Sequence, residues 1–326
     1  MFNFIYNYCD HADYLQLLAQ KLGVPVSNNT LWFPKCTGTG YVKMEELPNG
    51  LQVLINECTL HQDFFIYRNA SKEHAFTLRF DEVRNLKALS LKIGDTVLEE
   101  NTAIYSGAFL SNSFAQLEYT TNAETEDRCV NIYFTKEWFD KYLGLPAGDK
   151  AWADMLSTTA PSVHLEVLTL EYRALMEDIF ELKQGQPLYM AALQNRVMML
   201  LENFFRNLYS QLTIPGPVSP VADDEIKRMV QIEAILAKDV KVPPPSVPEL
   251  ARIAMMSETK LKTLFKKTYR YSLYDYYQKN RMLKAKQLIA SRKYSVKEVG
   301  NHLGFKNLSN FTIAFKKEFN KLPSEM

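Results

Sequence analysis

The chain has 326 residues, of which 47% are hydrophobic and 12% aromatic, a composition that excludes a disordered protein and leaves room for two or three domains. Its net charge of +1 conceals an asymmetry. Residues 222–326 carry 21 Lys and Arg against 11 Asp and Glu, a net charge of +10, whereas residues 1–221 carry 17 against 26, a net charge of −9. We therefore expect only the C-terminal third of the chain to approach a polyanion.

Several classes of site have no signal in the sequence. The four cysteines (Cys9, Cys36, Cys58 and Cys129) are far apart and form no CxxC pair, and the five histidines show no HxH or HExxH spacing. We expect reduced, structural cysteines, no metal site and no cofactor. No carboxylate pair or nucleophile–base arrangement stands out, so we do not expect an enzyme. No apolar run approaches a membrane span and no basic leader precedes the first apolar residues, so we expect a cytoplasmic protein without a membrane partner.

Residues 1–160 are predicted to form a mostly-β sensing domain. A short helix from Asp10 to Leu22 is expected to end at Gly23, a typical C-cap residue. From Leu31 to Phe134, short apolar runs rich in Val, Ile, Tyr and Phe alternate with turn residues, a pattern typical of a barrel or a sandwich. Such a domain either holds a small ligand between its sheets or has a filled core, and the sequence leaves both alternatives open.

Residues 161–212 are predicted to form a helical hairpin. Apolar residues recur at three- and four-residue steps from His164 to Lys183, which predicts one helix with an apolar seam, and a second helix follows from Leu188 to Leu212. The seam is expected to be buried against the barrel, within the hairpin or against a second subunit of a homodimer. Its residues are Leu165, Leu168, Tyr172, Leu175, Ile179 and Leu182. Residues 213–221, with three prolines and one glycine, are predicted to be a stiff linker.

The last part of the chain, residues 222–326, contains one pattern twice. The sequence SVPELA at 246–251 returns as SVKEVG at 295–300, and FKK at 265–267 returns at 315–317. Each copy begins with a Ser-x-x-Glu capping box and continues as a short helix, a tight turn and a second helix. This order predicts an all-α domain with two helix-turn-helix motifs. Lysines on one helix face are commonly only solvated, but two such motifs with excess positive charge fit two helices in successive segments of a DNA major groove.

Four further features lie in this part: Arg281-Met282 with Ala285, Gly304-Phe305, the run from Phe311 to Lys317, and Pro323-Ser324. With these features, about the last hundred residues resemble the DNA-binding domain of AraC/XylS-type bacterial transcriptional regulators. The resemblance implies seven helices, with a long helix from Leu273 to Ala290 between the two motifs. It also implies that the N-terminal domain is a cupin-like sensing barrel, which the missing HxH spacing makes a sensor and not a metal-dependent enzyme.

The resemblance further implies which side chains contact DNA. Base contacts are expected from Thr259, Lys262 and Thr263 in the first recognition helix, and from Leu308, Ser309, Asn310, Thr312 and Ile313 in the second. Phosphate contacts are expected from Lys260, Lys266, Lys267, Lys316 and Lys317. Leu308 and Ile313 have no hydrogen-bonding groups, so we expect the second copy to contact thymine methyls or mainly phosphates, with less direct readout.

The leading hypothesis is a sequence-specific DNA-binding transcriptional regulator, controlled by a small-molecule effector in the N-terminal barrel. Its partners would be double-stranded DNA, the effector, a second copy of the chain if the seam pairs between subunits, and RNA polymerase if the protein activates. Two alternatives stay open. One is a ligand-independent regulator whose N-terminal domain only oligomerises, and the other is a cupin-like enzyme with a DNA-binding tail.

Overall fold

The computed structural model describes residues 1–84, 89–93, 96–98, 106–143, 162–213, 223–238 and 240–326. The chain divides into two units, Met1–Val218 and Ser219–Met326. The first unit is rich in sheet and the second is helical, so the protein is of the α+β class. Apart from Thr213, the predicted linker at 213–221 lies outside the described residues.

The strands of the N-terminal unit form two sheets. The strands are β1 Phe2–Asn7, β2 Val26–Ser27, β3 Thr30–Trp32, β4 Gly38–Glu46, β5 Gln52–Leu60, β6 Phe64–Asn69, β7 Ala75–Arg84, β8 Leu89–Ile93, β9 Thr96–Leu98, β10 Gly107–Asn112, β11 Leu117–Thr121, β12 Glu126–Thr135 and β13 Val163–Val167. The smaller sheet has the order β1-β6-β11-β8-β9, and the larger has the order β13-β10-β7-β12-β5-β4-β3-β2. In the described residues both sheets are open, so the closed cupin-like barrel is not found there and the sandwich alternative fits.

Side-chain alternation gives the larger sheet two buried faces. On β12, Val130, Ile132 and Phe134 belong to the main hydrophobic core, while Cys129 and Asn131 lie on the opposite face because successive strand residues point to opposite sides. On that opposite face, two apolar clusters combine residues of both sheets. The sheets therefore pack on each other with a shared interior.

In the described part of this unit, four helices accompany the sheets: α1 His11–Leu22, α2 Lys136–Tyr142, α3 Leu170–Phe180 and α4 Tyr189–Thr213. Asp10 accepts a hydrogen bond from the Asp13 backbone N–H at the start of α1, and Gly23 ends α1 with a φ of 68°, as the sequence predicts. The apolar face of α1 packs into one of the clusters between the sheets. Residues of α2, α3 and α4 cover the other face of the larger sheet, where the main core lies.

The prediction of one helix from His164 to Lys183 is wrong. Residues Val163–Val167 are a strand, β13, whose backbone extends the larger sheet by pairing antiparallel with β10. A helix begins only at Leu170, where the Thr169 hydroxyl caps it by accepting from the Tyr172 N–H. The helical hairpin consists of α3 and α4 alone. The three- and four-residue steps misled because the strand residue Leu165, which is exposed, happens to stand at helical spacing from the buried residues of α3.

The C-terminal unit contains six described α-helices and a final three-residue 3-10 turn, where the resemblance implies seven helices. The helices are α5 Asp223–Lys238, α6 Val247–Ile253, α7 Glu258–Tyr269, α8 Leu273–Ala290, α9 Val296–His302 and α10 Leu308–Phe319, and the turn is Pro323–Glu325. The long helix α8 contacts α5, α7, α9 and α10 and thus supports both halves of the unit. Among the described residues, no helix is both long and apolar enough to cross a bilayer.

Candidate nucleic-acid interface and interior cavity

The first helix-turn-helix consists of α6 and α7. At its start, the Glu249 carboxylate accepts a hydrogen bond from the Ser246 backbone N–H at 2.8 Å, and at the start of α7 the Ser257 hydroxyl accepts one from the Lys260 N–H at 3.2 Å. One face of α7 buries Leu261, Leu264 and Phe265. The opposite face is exposed, which frees this helix to enter a groove.

The second helix-turn-helix, α9 and α10, repeats this construction. The Ser295 N–H donates to Glu298 at 2.7 Å and the Glu298 N–H donates to the Ser295 hydroxyl at 3.3 Å, a complete capping box. These hydrogen bonds, the backbone one first, lower the pKa of Glu298 because they favour its charged form. Helix α10 buries Phe311 and Phe315 and leaves its other face exposed.

The two copies differ at the turn between their helices. Gly304 has a φ of 76°, and a Cβ at this position would collide with the carbonyl oxygen of Lys241, so only glycine fits. The equivalent position in the first copy is Met255, which has a φ of 51° and is 73% exposed. The first turn therefore carries a strained non-glycine residue at its surface, which the sequence pattern does not predict.

Arg281 on α8 contacts the turn that contains Gly304 and Phe305, two other residues on which the family resemblance depends. Its guanidinium donates to the carbonyl oxygen of Leu303 at 2.6 Å and lies 4.1 Å from the centre of the Phe305 ring. The arginine thus satisfies a carbonyl at the end of α9 and fixes the turn that contains Gly304. A hydrogen bond of 2.5 Å from Lys279 to Glu318 ties α8 to α10 as well.

Most of the predicted DNA contacts lie on the exposed faces of the two recognition helices. Exposed side chains are Thr259, Lys260, Lys262, Thr263, Lys266 and Lys267 on α7, and Leu308, Ser309, Asn310, Ile313, Lys316 and Lys317 on α10, whereas Thr312 is half-buried. Lys260 differs from the other lysines because its Nζ lies 2.5 Å from Glu225 on α5. Lys262 lies 3.7 Å from Glu258 in its own helix, a weak exposed pair.

The N-terminal unit contains a cavity of about 80 Å³ between its two sheets and α1. Part of its lining is largely apolar and includes Tyr14 and Tyr119. The other part, the polar wall, comes from three adjacent strands of the larger sheet, which contribute Asn56 on β5, Asp127 and Asn131 on β12, and Arg79 on β7. Arg79 is surrounded by protein, yet 20% of its side-chain surface is accessible, because it faces the cavity.

The polar wall is only partly satisfied by hydrogen bonds. Arg79 donates twice to Asp81, at 3.1 and 3.3 Å, and Asn56 donates to Oδ2 of Asp127 at 2.9 Å. Oδ1 of Asp127 and the side-chain oxygen of Asn131 have no hydrogen-bond partner in the described part of the chain. Burial, together with the nearby negative charge of Asp81, raises the pKa of Asp127 to about 7.

The wall has no metal-site character, because the described residues contain no group of three or more His, Cys, Asp or Glu side chains placed to hold a metal ion. The second buried arginine of this interior, Arg68, donates to the carbonyl of Ala115 and lies over the Tyr8 ring, away from the cavity wall. Arg79 is therefore the one described cation that lines the cavity.

Part of the C-terminal unit matches a known protein family. Residues 250–326 match a family model described as a helix-turn-helix domain, and the match spans both motifs. The C-terminal unit is an AraC-type helix-turn-helix domain. No curated protein matches the chain as a whole or in part.

Three of the solved structures that are similar to this chain differ in how much of it they cover. The DNA-binding domain of the transcription factor AdpA, in complex with target DNA, is 22% identical, with 30% of this chain and 87% of that chain covered and a TM-score of 0.27. An AraC-type regulator from Chromobacterium violaceum is 23% identical over 33% of this chain and 91% of that chain, with a TM-score of 0.27. ToxT from Vibrio cholerae with a bound unsaturated fatty acid is 13% identical over 86% and 96%, with a TM-score of 0.33.

The predicted dimerisation residues do not form one seam. Leu168, Tyr172, Leu175 and Ile179 are buried in the core of their own unit, and Leu182 packs against that core. The four buried residues therefore follow the intramolecular alternative, whereas Leu182 is only partly buried. Leu165 is 45% exposed, but it lies on the edge strand β13 and not on a helix.

The polar wall of the cavity was not predicted from the sequence. Arg79 stands between Leu78 and Phe80, and alternation alone assigns such a residue to the solvent side of a strand. The opposite assignment holds here because both faces of the larger sheet are covered. Charged residues at alternate positions of a strand are equally typical of a solvent-facing side, so the sequence contains no signal that separates the two cases.

Proposed function

We propose that this chain is a sequence-specific DNA-binding transcriptional regulator. The observation that carries the proposal is the pair of helix-turn-helix motifs on one supporting helix, each with a recognition helix whose outer face is exposed. The excess positive charge of residues 222–326 supports it, because phosphate neutralisation supplies much of the affinity for DNA.

In this proposal α7 and α10 enter successive segments of the major groove. The exposed Thr259, Lys262 and Thr263 offer hydrogen bonds to base edges from the first helix. The second helix offers Ser309 and Asn310 as hydrogen-bonding groups, Thr312 with less exposure, and Leu308 and Ile313 as apolar contacts for thymine methyls. Phosphate contacts come from Lys266, Lys267, Lys316 and Lys317, and from Lys260 once it leaves Glu225.

We also propose that a small-molecule effector bound in the N-terminal cavity controls the regulator. The support is the cavity between the sheets and the unsatisfied oxygens of Asp127 and Asn131 beside it, since buried polar groups normally have partners. The ligand-independent alternative, in which this unit only oligomerises, has no comparable observation in its favour. Homodimerisation, and contact with RNA polymerase in the case of an activator, remain predictions.

Selection of bound fragments from genomic DNA by the purified full-length chain tests the proposal. We expect enrichment of a defined sequence at moderate salt, with two blocks spaced by about one helical turn, because the two motifs face successive major-groove segments. Retention of all fragments alike, or of none, would contradict sequence-specific binding. Analytical ultracentrifugation of the same preparation, with and without the selected site, measures the oligomeric state.

A further inference from the structure

We propose that the cavity between the sheets of the N-terminal unit binds a small primary amine with a short apolar body. This inference rests on the proposed function, because it names the chemical class of the effector. The polar wall fixes the head group of the ligand, and the size and lining of the cavity fix its body.

The head group follows from the hydrogen bonds that the wall lacks. When Asp127 is ionised, both unsatisfied atoms, its Oδ1 and the side-chain oxygen of Asn131, are acceptors, so the missing partner is a donor. The two residues lie on the same face of β12, with one face-sharing residue, Cys129, between them, and they border one cavity. An ammonium group has three donors and no acceptor, and it is therefore suited to such a wall.

The charges around the wall favour a cation over a neutral donor. Arg79 is the one described cation there, and its guanidinium is already engaged by Asp81. Among the described residues, Asp127 accepts a side-chain hydrogen bond only from the neutral amide of Asn56, although the positive charge of Arg79 also favours its ionised form. One positive and two acidic groups leave a net negative charge when Asp127 is ionised, and a buried carboxylate is stabilised by a paired cation. An anionic ligand would meet this carboxylate unfavourably.

The body of the ligand follows from the rest of the lining. Most of it is apolar and comes from both sheets and α1, namely Leu18, Val42, Leu54, Leu60, Phe64 and Ile66, with Tyr14 and Tyr119 beside them. The cavity of about 80 Å³ is roughly half the volume of an apolar cavity of about 150 Å³ that admits benzene. The ligand therefore has only a few carbon atoms beside its amine.

Three probes with one isobutyl-type body separate the classes of head group: isobutylamine, isobutanol and isobutyrate. We expect isobutylamine to bind the full-length chain at neutral pH and to raise its unfolding temperature, because a ligand that binds only the folded state stabilises it. Isobutanol should bind more weakly and isobutyrate should have no effect. Isothermal titration calorimetry gives the dissociation constants, with methylamine as a control for unspecific effects of an ammonium ion.

Two variants test whether the site is the cavity. Asp127→Asn keeps the size of the side chain and removes its charge, and we expect it to weaken isobutylamine binding about tenfold or more while isobutanol binding changes little. Asp140→Asn is the matched control, since Asp140 is an exposed carboxylate on α2, outside the cavity. This control should bind isobutylamine like the unchanged chain. Circular dichroism of each variant establishes that it is folded before binding is compared.

The outcomes decide the inference. Equal affinity for isobutylamine and isobutanol, or an unchanged affinity in Asp127→Asn, would overturn the assignment of an amine. If none of the three probes binds, the cavity holds water only and the proposal is wrong. The DNA-binding proposal is judged separately by the genomic selection: a chain that selects a DNA site but binds no amine refutes only this inference, whereas one that binds the amine but selects no site refutes the proposed function.

Discussion

The two units of this protein place their charged side chains in opposite ways. The acidic N-terminal unit encloses Arg79, Asp81 and Asp127 between two sheets, whereas the basic C-terminal unit displays its lysines on the outer faces of α7 and α10. A buried charge costs free energy unless it is paired, so an enclosed, partly unpaired set indicates a binding site. An exposed lysine costs almost nothing and is available to a polyanion.

The largest expected effect is the loss of stability when a charge between the sheets loses its partner. Replacing Arg79 by Met leaves Asp81 without its cation in the interior, and we expect the N-terminal unit to lose about 3–5 kcal/mol of unfolding free energy. Replacing Lys266 by Met on the exposed face of α7 should change stability by less than about 0.5 kcal/mol. Urea unfolding followed by circular dichroism measures both. Similar losses in the two variants would remove the contrast between the units.

A second prediction concerns the pH dependence of the same interior. The pKa of Asp127 is raised from 3.8 to about 7 on folding, so the folded state holds its proton more tightly and stability from this group falls as pH rises from about 4 to 7. Asp127→Asn removes this pH dependence. The unfolding free energy of the variant should therefore exceed that of the unchanged chain by an amount that grows over this range to roughly 2–4 kcal/mol. Urea titrations at several pH values measure the difference. A constant difference between pH 4 and 8 would contradict it.

The third prediction contrasts the turns of the two helix-turn-helix copies. In Gly304→Ala the new Cβ collides with the Lys241 carbonyl at a positive φ, and we expect the C-terminal unit to lose about 2–3 kcal/mol. Met255→Gly at the equivalent turn relieves a positive φ of 51° and should leave stability within about 1 kcal/mol of the original. Thermal unfolding compares the pair. Equal losses in the two variants would contradict this contrast between the turns.

The smallest expected effects separate the roles of the two recognition helices in DNA binding. Lys262→Ala should cost about 1–3 kcal/mol at the selected site and relax base preference, whereas Lys316→Ala should weaken binding to all sequences and lower the salt slope by about one. Lys21→Ala, on an exposed position of α1, is the control. Fluorescence anisotropy with the selected site and with scrambled DNA over a range of salt measures these effects. If both variants lost affinity equally for all sequences, the proposed difference in role between Lys262 and Lys316 would be wrong.

The sequence predicted the C-terminal unit in more detail than the N-terminal unit. The capping boxes at Ser246 and Ser295, the long helix α8 and the order of the two motifs are all found in the structure, because each depends on side chains within a few residues of one another. The N-terminal strands from Leu31 to Phe134 were also predictable from alternation. The strand β1 was not, since it joins the sheet only by parallel pairing with the distant β6.

By itself, the sequence determined the class of the protein: a β-rich unit, a basic helical unit with a duplicated helix-turn-helix, and the residues on the outer faces of its recognition helices. Local periodicity and capping are sufficient for such features, because the interacting residues are neighbours in the chain. Only the tertiary structure decided that Val163–Val167 is a strand, that the seam of α3 is buried in its own unit, and that Arg79, Asp127 and Asn131 border one cavity. Each of these depends on which distant strand or sheet covers a given face, and a pattern within one segment does not contain that information.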